Sequence, residues 1–172
     1  LIARLYDDGE AGVQAQDFRF RKRPSANQYF ILKNGTTSAL GHYEKALDLV
    51  SRVEKQRCYG IEPRNAEQAF SLDALTRRSV ELVALSGKAG TGKTLLALAA
   101  ALAQEDRFDQ ILLARPVVPL ANRDIGFLPG DVDDKIGPYM QPLFDNLAVI
   151  KRKFRPSSKE GQHIEELQKT GK

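Results

Sequence analysis

A glycine-rich loop is the feature that most constrains how this chain can fold. Residues 87–94 read GKAGTGKT and match the phosphate-binding pattern G-x-x-x-x-G-K-[ST] at every specified position. The segment before it, residues 80–85, is apolar and reads as a buried strand, and a run of strong helix formers from Leu95 to Ala103 follows. The sequence therefore predicts a strand, a phosphate-binding loop and a helix in direct succession.

The chemistry of such a loop depends on its backbone and on two side chains. Glycine permits conformations that a Cβ would exclude, so successive N–H groups can turn inward around a phosphate chain. We predict that Lys93 reaches the β- and γ-phosphates of ATP and that the Thr94 hydroxyl ligates Mg²⁺. The alternative is a glycine-rich turn that only joins strand to helix. The predicted nucleotide-binding residues of this segment are Gly87, Lys88, Ala89, Gly90, Thr91, Gly92, Lys93, Thr94 and Leu95, with Lys93 and Thr94 also assigned catalytic roles.

Length and charge set wider bounds on the function. At 172 residues the chain has room for one domain, or for a small module and part of a larger domain. The net charge is +4, and basic residues cluster at 19–23 and 151–155. Either cluster can follow a nucleic-acid backbone, or it can be a solvated loop. The longest apolar run is too short to cross a bilayer, and the single cysteine, Cys58, fits a reducing compartment. We therefore expect a cytoplasmic protein without a membrane segment.

The first 57 residues predict a small antiparallel module. Residues 29–33, 36–40 and 46–53 read as strands, and Asn34-Gly35 is the favoured two-residue hairpin turn. Residues 1–26 show no clear period. Residues 58–172 form the second predicted domain, built around the glycine-rich loop.

A helix is predicted directly after residues 60–63. Asn65 is a suitable N-cap, and Gln68 stands three residues later, where a capping box has Glu or Gln. Ala66, Phe70 and Ala74 share one face of this helix.

After the loop and its helix, residues 110–114 read as a second strand, which predicts a parallel pair with a right-handed crossover. A long loop follows, and Asp131 is a candidate cap for a helix from Val132 with interruptions at Pro138 and Pro142. Residues 156–161 read as a flexible connection, and residues 163–169 as a short terminal helix.

A catalytic carboxylate is missing from the predicted core. Phosphate-loop ATPases hold Mg²⁺ with an acidic residue at the end of an apolar strand. No apolar strand in these 172 residues is followed by Asp or Glu, and residues 110–114 end in Arg115. The sequence thus contains a phosphate cradle without the rest of a hydrolytic site.

Several longer motifs resemble those of the PhoH-like ATPases. The resemblance covers about residues 58–150 and is weaker on both sides. Its motifs are the loop itself, GIEPRNAEQAFSLDAL at 60–75, ARP at 114–116, DIGFLPGD at 124–131, MQP at 140–142 and DNL at 145–147.

The resemblance implies an α/β fold: part of a RecA-like phosphate-loop NTPase, similar to superfamily 1 helicases, with a parallel sheet core preceded by the small β-rich module. It implies an ATP hydrolase that acts on RNA, often as a homo-oligomeric ring. It also implies that a PIN ribonuclease domain precedes this segment and that the acidic Mg²⁺ site lies beyond residue 172. Arg64 and Gln68 fall where such helicases carry an adenine-reading glutamine, although the capping box alone can explain Gln68. Arg115 stands at a predicted strand end, where a ligand contact or a plain ion pair is equally expected.

Two other functions remain open from the sequence. One is a small-molecule kinase. Two observations argue against a kinase: the loop lies far from the start of the chain, and no arginine-rich lid accompanies the loop. The other is a regulatory module that binds nucleotide without turnover. Phosphate transfer to a metabolite would favour the kinase, and tight binding without hydrolysis would favour the regulatory module.

Overall fold

The computed structural model describes residues 1–7, 12–116 and 132–170, which fall into two compact units. The sheet unit comprises Leu1–Arg57 and Glu62–Ala84, and the helical unit comprises Cys58–Ile61 and Leu85–Lys172. The division between domains at residues 57 and 58 stays a prediction.

A four-stranded antiparallel sheet forms the centre of the sheet unit. Its strands are Val13–Gln14 (β1), Tyr29–Asn34 (β2), Thr37–Glu44 (β3) and Leu49–Arg52 (β4), in the spatial order β1-β4-β3-β2. The predicted antiparallel strands are therefore confirmed. Tyr29 pairs with His42 across β2 and β3, and Tyr43 pairs with Val50 across β3 and β4.

The first hairpin turn differs from the predicted one by a single residue. Asn34 pairs with Thr37, so the two loop residues are Gly35 and Thr36 and not Asn34 and Gly35. Gly35 has a φ of 57°, which supplies the positive φ at the first loop position. A one-residue slip would turn every side chain of the strand to the opposite face, and the burial of Ala39 and Tyr43 opposes that slip.

A short N-terminal helix that the sequence did not predict completes this core. The helix α1 spans Ile2–Asp7, and its residues Ile2 and Leu5 pack with Val13 and Ala39. Helices this short show too few turns for a hydrophobic period to appear, so packing on the sheet accounts for α1.

The second helix of the sheet unit, α2, spans Ala66–Thr76 and begins as predicted. Its most buried residues are Ala69 and Leu72. Ala66, Phe70 and Ala74 are only half-buried, so the predicted face is displaced from the observed one.

The predicted parallel strand pair is not formed in the described residues. Residues 80–85 and 110–114 carry no strand pairing, and the side chains of Leu82 and Leu112 are 89% and 80% exposed. Parallel strands need further strands beside them and helices on both faces. No such neighbours stand beside these segments in the part of the chain that the structure describes, which is why the prediction fails there.

The described part of the helical unit contains three α-helices: α3 at Lys93–Leu102, α4 at Val132–Lys151 and α5 at Lys159–Thr170. The start of α4 is confirmed, but its predicted interruptions are wrong, because the helix is continuous through Pro138 and Pro142. The fixed φ of proline is compatible with a helix, but a proline in the helix interior costs a backbone hydrogen bond and a clash with the carbonyl four residues before it. Burial of Leu147 and Ile150 offsets that cost. The long loop before α4 and its predicted cap Asp131 lie outside the described residues.

The terminal helix α5 is confirmed and begins four residues earlier than predicted. Ser158 caps it, since its Oγ accepts a hydrogen bond from the Gly161 N–H at 3.1 Å. The segment predicted as a flexible connection is therefore partly helical. A Cβ on Gly161 would lie 2.5 Å from the Arg155 carbonyl oxygen, so this turn requires glycine. Among the described residues, no helix has the length and apolarity needed to span a bilayer.

Candidate functional site

The backbone of the glycine-rich loop adopts conformations that only glycine takes readily. Gly90 has a φ of 76° and Gly92 a φ of 87°, both in the left-handed region. A Cβ on Gly90 would meet no atom within 4 Å. The requirement for glycine at this position therefore comes from backbone conformation and not from space.

The loop leads directly into the amino end of α3. Gly92 is the N-cap, and its carbonyl accepts the first helical hydrogen bond from the Leu96 N–H at 2.9 Å. The N–H groups of the first turn have no carbonyl partner within the helix, and they carry the positive end of the helix dipole. No acidic side chain occupies this first turn. The arrangement favours an anion at the loop.

Lys93 is folded back over the loop. Its Nζ donates hydrogen bonds to the carbonyl oxygens of Gly87 and Lys88, at 2.9 and 2.8 Å. The Thr91 hydroxyl donates to the same Lys88 carbonyl at 2.9 Å. Neutral carbonyls are weaker partners for an ammonium than a phosphate oxygen is. A phosphate bound in the loop can therefore replace these contacts at a net gain.

Thr94 occupies the second position of α3 and is exposed. Its hydroxyl is the one protein oxygen that the sequence assigned to Mg²⁺. No group of three or more His, Cys, Asp or Glu side chains that could hold a metal exists among the described residues. Mg²⁺ commonly keeps several waters and shares phosphate oxygens, so a hydroxyl beside a phosphate cradle fits it. The donor set suits Mg²⁺ bound together with a nucleotide and does not suit a metal bound by protein alone.

Arg64 and Gln68 lie in the sheet unit at the start of α2. The Asn65 side chain accepts a hydrogen bond from the Gln68 N–H at 2.8 Å. The Gln68 Oε1 in turn accepts from the Arg64 N–H at 2.8 Å. The capping interaction is thus present, and the adenine-reading role of these two residues stays a prediction. Arg115 is exposed and lies outside any strand.

A polar cluster between the sheet and α2 was not predicted. The Tyr29 hydroxyl donates to Asp73 Oδ2 at 2.7 Å, and Arg77 forms a two-pronged ion pair with the same carboxylate. Burial, and then the hydrogen bond to Asp73, raise the pKa of Tyr29. The four-residue spacing of Asp73 and Arg77 was visible in the sequence, but their partner on β2, Tyr29, was not.

His42 packs beside this cluster. It is 1% exposed, and its ring centroid lies 4.8 Å from that of Tyr29. Burial, and then the charge of Arg77, lower the pKa of His42. Its Nδ1 has no hydrogen-bond partner among the described residues. The cluster thus holds a neutral imidazole in the interior of the sheet unit.

Comparison with known proteins gives consistent matches. Residues 60–169 match the family described as PhoH-like protein. The chain is 41% identical over 138 residues to "Protein PhoH2" of Bacillus subtilis, covering 76% of this chain and 31% of that protein. It is 40% identical over 150 residues to "Protein PhoH2" of Mycolicibacterium smegmatis, covering 85% of this chain and 33% of that protein.

A third relative is "Protein PhoH" of Escherichia coli, 41% identical over 87 residues, which cover 49% of this chain and 23% of that protein. The alignments thus span about a third or less of the length of these relatives. No solved structure matches the chain at a significant level. With the family match extending over most of the chain and including the phosphate-binding loop, this chain belongs to the PhoH-like family.

Proposed function

We propose that the chain binds ATP together with Mg²⁺ through residues 87–95. The observation that carries the proposal is the position of the Lys93 ammonium, folded over a loop of left-handed glycines at the amino end of α3. Loop N–H groups surround the phosphates, Lys93 neutralises their charge, and Thr94 ligates Mg²⁺ beside them.

The test is a calorimetric titration of the 172-residue chain with Mg·ATP, which measures the affinity. Lys93→Ala should weaken binding at least about tenfold, since it removes a charge-assisted hydrogen bond worth about 1.5–3 kcal/mol. Lys33→Ala is the matched control, because it removes an equal charge from an exposed side chain outside residues 87–95. It should change the affinity by less than about twofold.

Two outcomes would contradict the proposal once circular dichroism shows that the variants are folded. One is equal affinity of the wild-type chain and Lys93→Ala. The other is an equal loss of affinity in Lys93→Ala and in the control variant, which would show that the effect comes from overall charge alone.

We further propose that the complete protein couples ATP hydrolysis to the unwinding or degradation of RNA, as a homo-oligomeric ring. In this proposal a PIN domain precedes the segment, and a carboxylate beyond residue 172 orients the attacking water. The family match and the PhoH2 relatives support the coarser assignment to a nucleotide hydrolase. The RNA, the ring and the PIN domain follow from the resemblance described above.

Phosphate release distinguishes these possibilities. The 172-residue chain should bind ATP yet release phosphate negligibly with or without RNA, because positioned phosphates still lack an oriented water. A chain extended through the next apolar strand ending in Asp or Glu should turn over. Lys93-dependent turnover by the short chain would overturn the proposed location of the carboxylate. Transfer of phosphate to a metabolite would favour a kinase instead.

A further inference from the structure

A cleft of about 310 Å³ opens in the sheet unit, and none of its lining residues is among those assigned to nucleotide binding. It lies between the short 3-10 helix Ala15–Phe18, the segment that follows it and the turn between β3 and β4. Its lining residues include Gln16, Arg19, Phe20, Arg23, Pro24 and Asp48.

One side of the cleft is strongly basic. Arg19 and Arg23 line it, and the adjoining residues Arg21 and Lys22 are exposed in the same segment. Arg19 has a φ of 49° and ends the 3-10 helix. The Arg23 side chain is 76% exposed, with its guanidinium 3.6 Å from a carboxylate oxygen of Asp48. Two guanidinium groups at one cleft suit the two phosphates that flank a nucleotide, since each guanidinium can bind one phosphate in a two-pronged manner.

Asp48 is held in place from two directions. Its backbone carbonyl accepts a hydrogen bond from the Ala15 N–H at 2.9 Å. Its Oδ1 accepts from the hydroxyl of the fully buried Tyr43 at 2.6 Å. A carboxylate accepts hydrogen bonds from hydroxyl groups and repels phosphate. In a basic cleft, a fixed carboxylate therefore selects a ligand that carries both a phosphate and a nearby hydroxyl.

The other side of the cleft is apolar. Phe20 packs against Phe18 and Phe30, with ring centroids 5.5 and 4.7 Å apart. Pro24 adds a second apolar surface. A nucleobase can pack against this wall only when it is not stacked within a duplex.

We propose that this cleft binds one nucleotide of a single-stranded RNA. Arg19 and Arg23 contact the phosphates, Asp48 accepts a hydrogen bond from the ribose 2′-hydroxyl, and the base packs on Phe20 and Pro24. The RNA of the proposed function thus contacts the sheet unit at this cleft. Binding of RNA there does not require a nucleotide bound at residues 87–95.

Fluorescence anisotropy with a labelled RNA of about ten nucleotides tests the proposal. The double variant Arg19→Ala/Arg23→Ala should bind at least about tenfold more weakly. The slope of log K against log salt should fall by about 1.4, since each phosphate contact on a single strand contributes about 0.7. The matched control is Lys33→Ala/Arg78→Ala, which removes two exposed charges of the same unit that do not line the cleft. It should change the affinity less than about twofold.

Equal losses in the two double variants would overturn the site, because charge alone would then explain binding. So would displacement of the RNA by a polyglutamate peptide of equal charge. A duplex RNA that binds as well as the single strand would contradict the role of the apolar wall.

The ribose contact has its own test. The chain should bind RNA more tightly than DNA of the same sequence. Asp48→Asn should reduce this difference in affinity, because it removes the negative charge that repels phosphate and favours a ligand with a hydroxyl. Asparagine keeps an oxygen for the Tyr43 hydroxyl and tolerates the φ of 53° at this position. Equal affinity of the wild-type chain for RNA and DNA would overturn the assignment to RNA. Lys93→Ala should bind RNA like the wild-type chain, so this site and the proposed ATP site can fail separately.

Discussion

The antiparallel sheet and the two apolar segments beside the glycine-rich loop have similar sequences and different structures. The sheet strands β2, β3 and β4 pair with their neighbours along the chain through short turns. Residues 80–85 and 110–114 are at least as apolar, yet they form no strand pairing in the described part of the chain. A hairpin closes a short loop, whereas a parallel pair must first close a crossover and then find further strands and covering helices. Apolar character thus predicts the tendency to form a strand, and the availability of partners decides the outcome.

The largest expected effect contrasts one residue from each region. Tyr43 on β3 is fully buried, and Tyr43→Ala should lower the unfolding free energy of the sheet by about 3–5 kcal/mol. Leu112→Ala should change stability by less than about 0.5 kcal/mol, since that side chain is 80% exposed. Native-state hydrogen exchange of the β3 amides and urea unfolding measure the two effects. A cost of about 2 kcal/mol or more at Leu112 would show that residues 110–114 are buried in solution.

The second prediction concerns the polar cluster that ties α2 to the sheet. Tyr29→Phe removes a hydrogen bond to the Asp73 carboxylate and should cost about 1.5–3 kcal/mol in the sheet unit. Tyr6→Phe is the matched control, because its hydroxyl donates to the Ser38 carbonyl at an exposed position. It should cost clearly less. Equal costs would mean that the Asp73 contact adds nothing beyond an exposed hydrogen bond.

Variants at the start of α2 distinguish a helix-capping role of Gln68 from a role in recognising adenine. Asn65→Ala and Gln68→Ala each remove part of the cap, and loss of the cap at Asn65 should cost about 1 kcal/mol. If Gln68 also reads adenine, as we expect, only Gln68→Ala narrows the difference between ATP and GTP affinity. Calorimetric titrations with both nucleotides measure that ratio. If Gln68→Ala leaves the ratio of ATP affinity to GTP affinity unchanged, Gln68 acts only as part of the helix cap.

The smallest expected effect is a pH dependence confined to the sheet unit. The pKa of His42 in the folded chain is lowered from about 6.5, so below that pH the unfolded chain binds a proton that the folded chain does not. The stabilisation from a neutral His42 is therefore complete above pH 6.5 and declines as the pH falls below it. Hydrogen exchange of β3 amides between pH 5 and 8, corrected for the intrinsic rate, measures the decline.

His42→Gln should remove this part of the pH dependence, and His163→Gln in the helical unit should retain it. The same pH dependence in His42→Gln and in the wild-type chain would assign it to another group.

Local signals account for what the sequence predicted correctly. The capping box at Asn65, the existence of the first hairpin and the presence of a helix directly after the glycine-rich loop each depend on residues within a few positions of one another. The turn was displaced by one residue because the register is set by which β3 side chains are buried, and burial is a property of the whole sheet.

Non-local packing accounts for what the sequence did not predict. The helix α1 forms on the sheet that it covers, and α4 continues through Pro138 and Pro142 because its later residues are buried. The cleft at Arg19 and Asp48 brings together residues almost thirty positions apart, and nothing in the local pattern of either indicates the other. Positions of this kind become visible only when the sheet register is known.

Backbone amide shifts during a Mg·ATP titration of the ¹⁵N-labelled chain test the proposed nucleotide site most directly. Nucleotide binding through the loop should shift the amides of residues 87–96, and Lys93 Nζ should lose its hydrogen bonds to the Gly87 and Lys88 carbonyls. In Lys93→Ala the same shifts should appear only at much higher nucleotide concentration. Shifts confined to the sheet unit, or loop shifts of equal size and midpoint in Lys93→Ala, would contradict a nucleotide site built on this lysine.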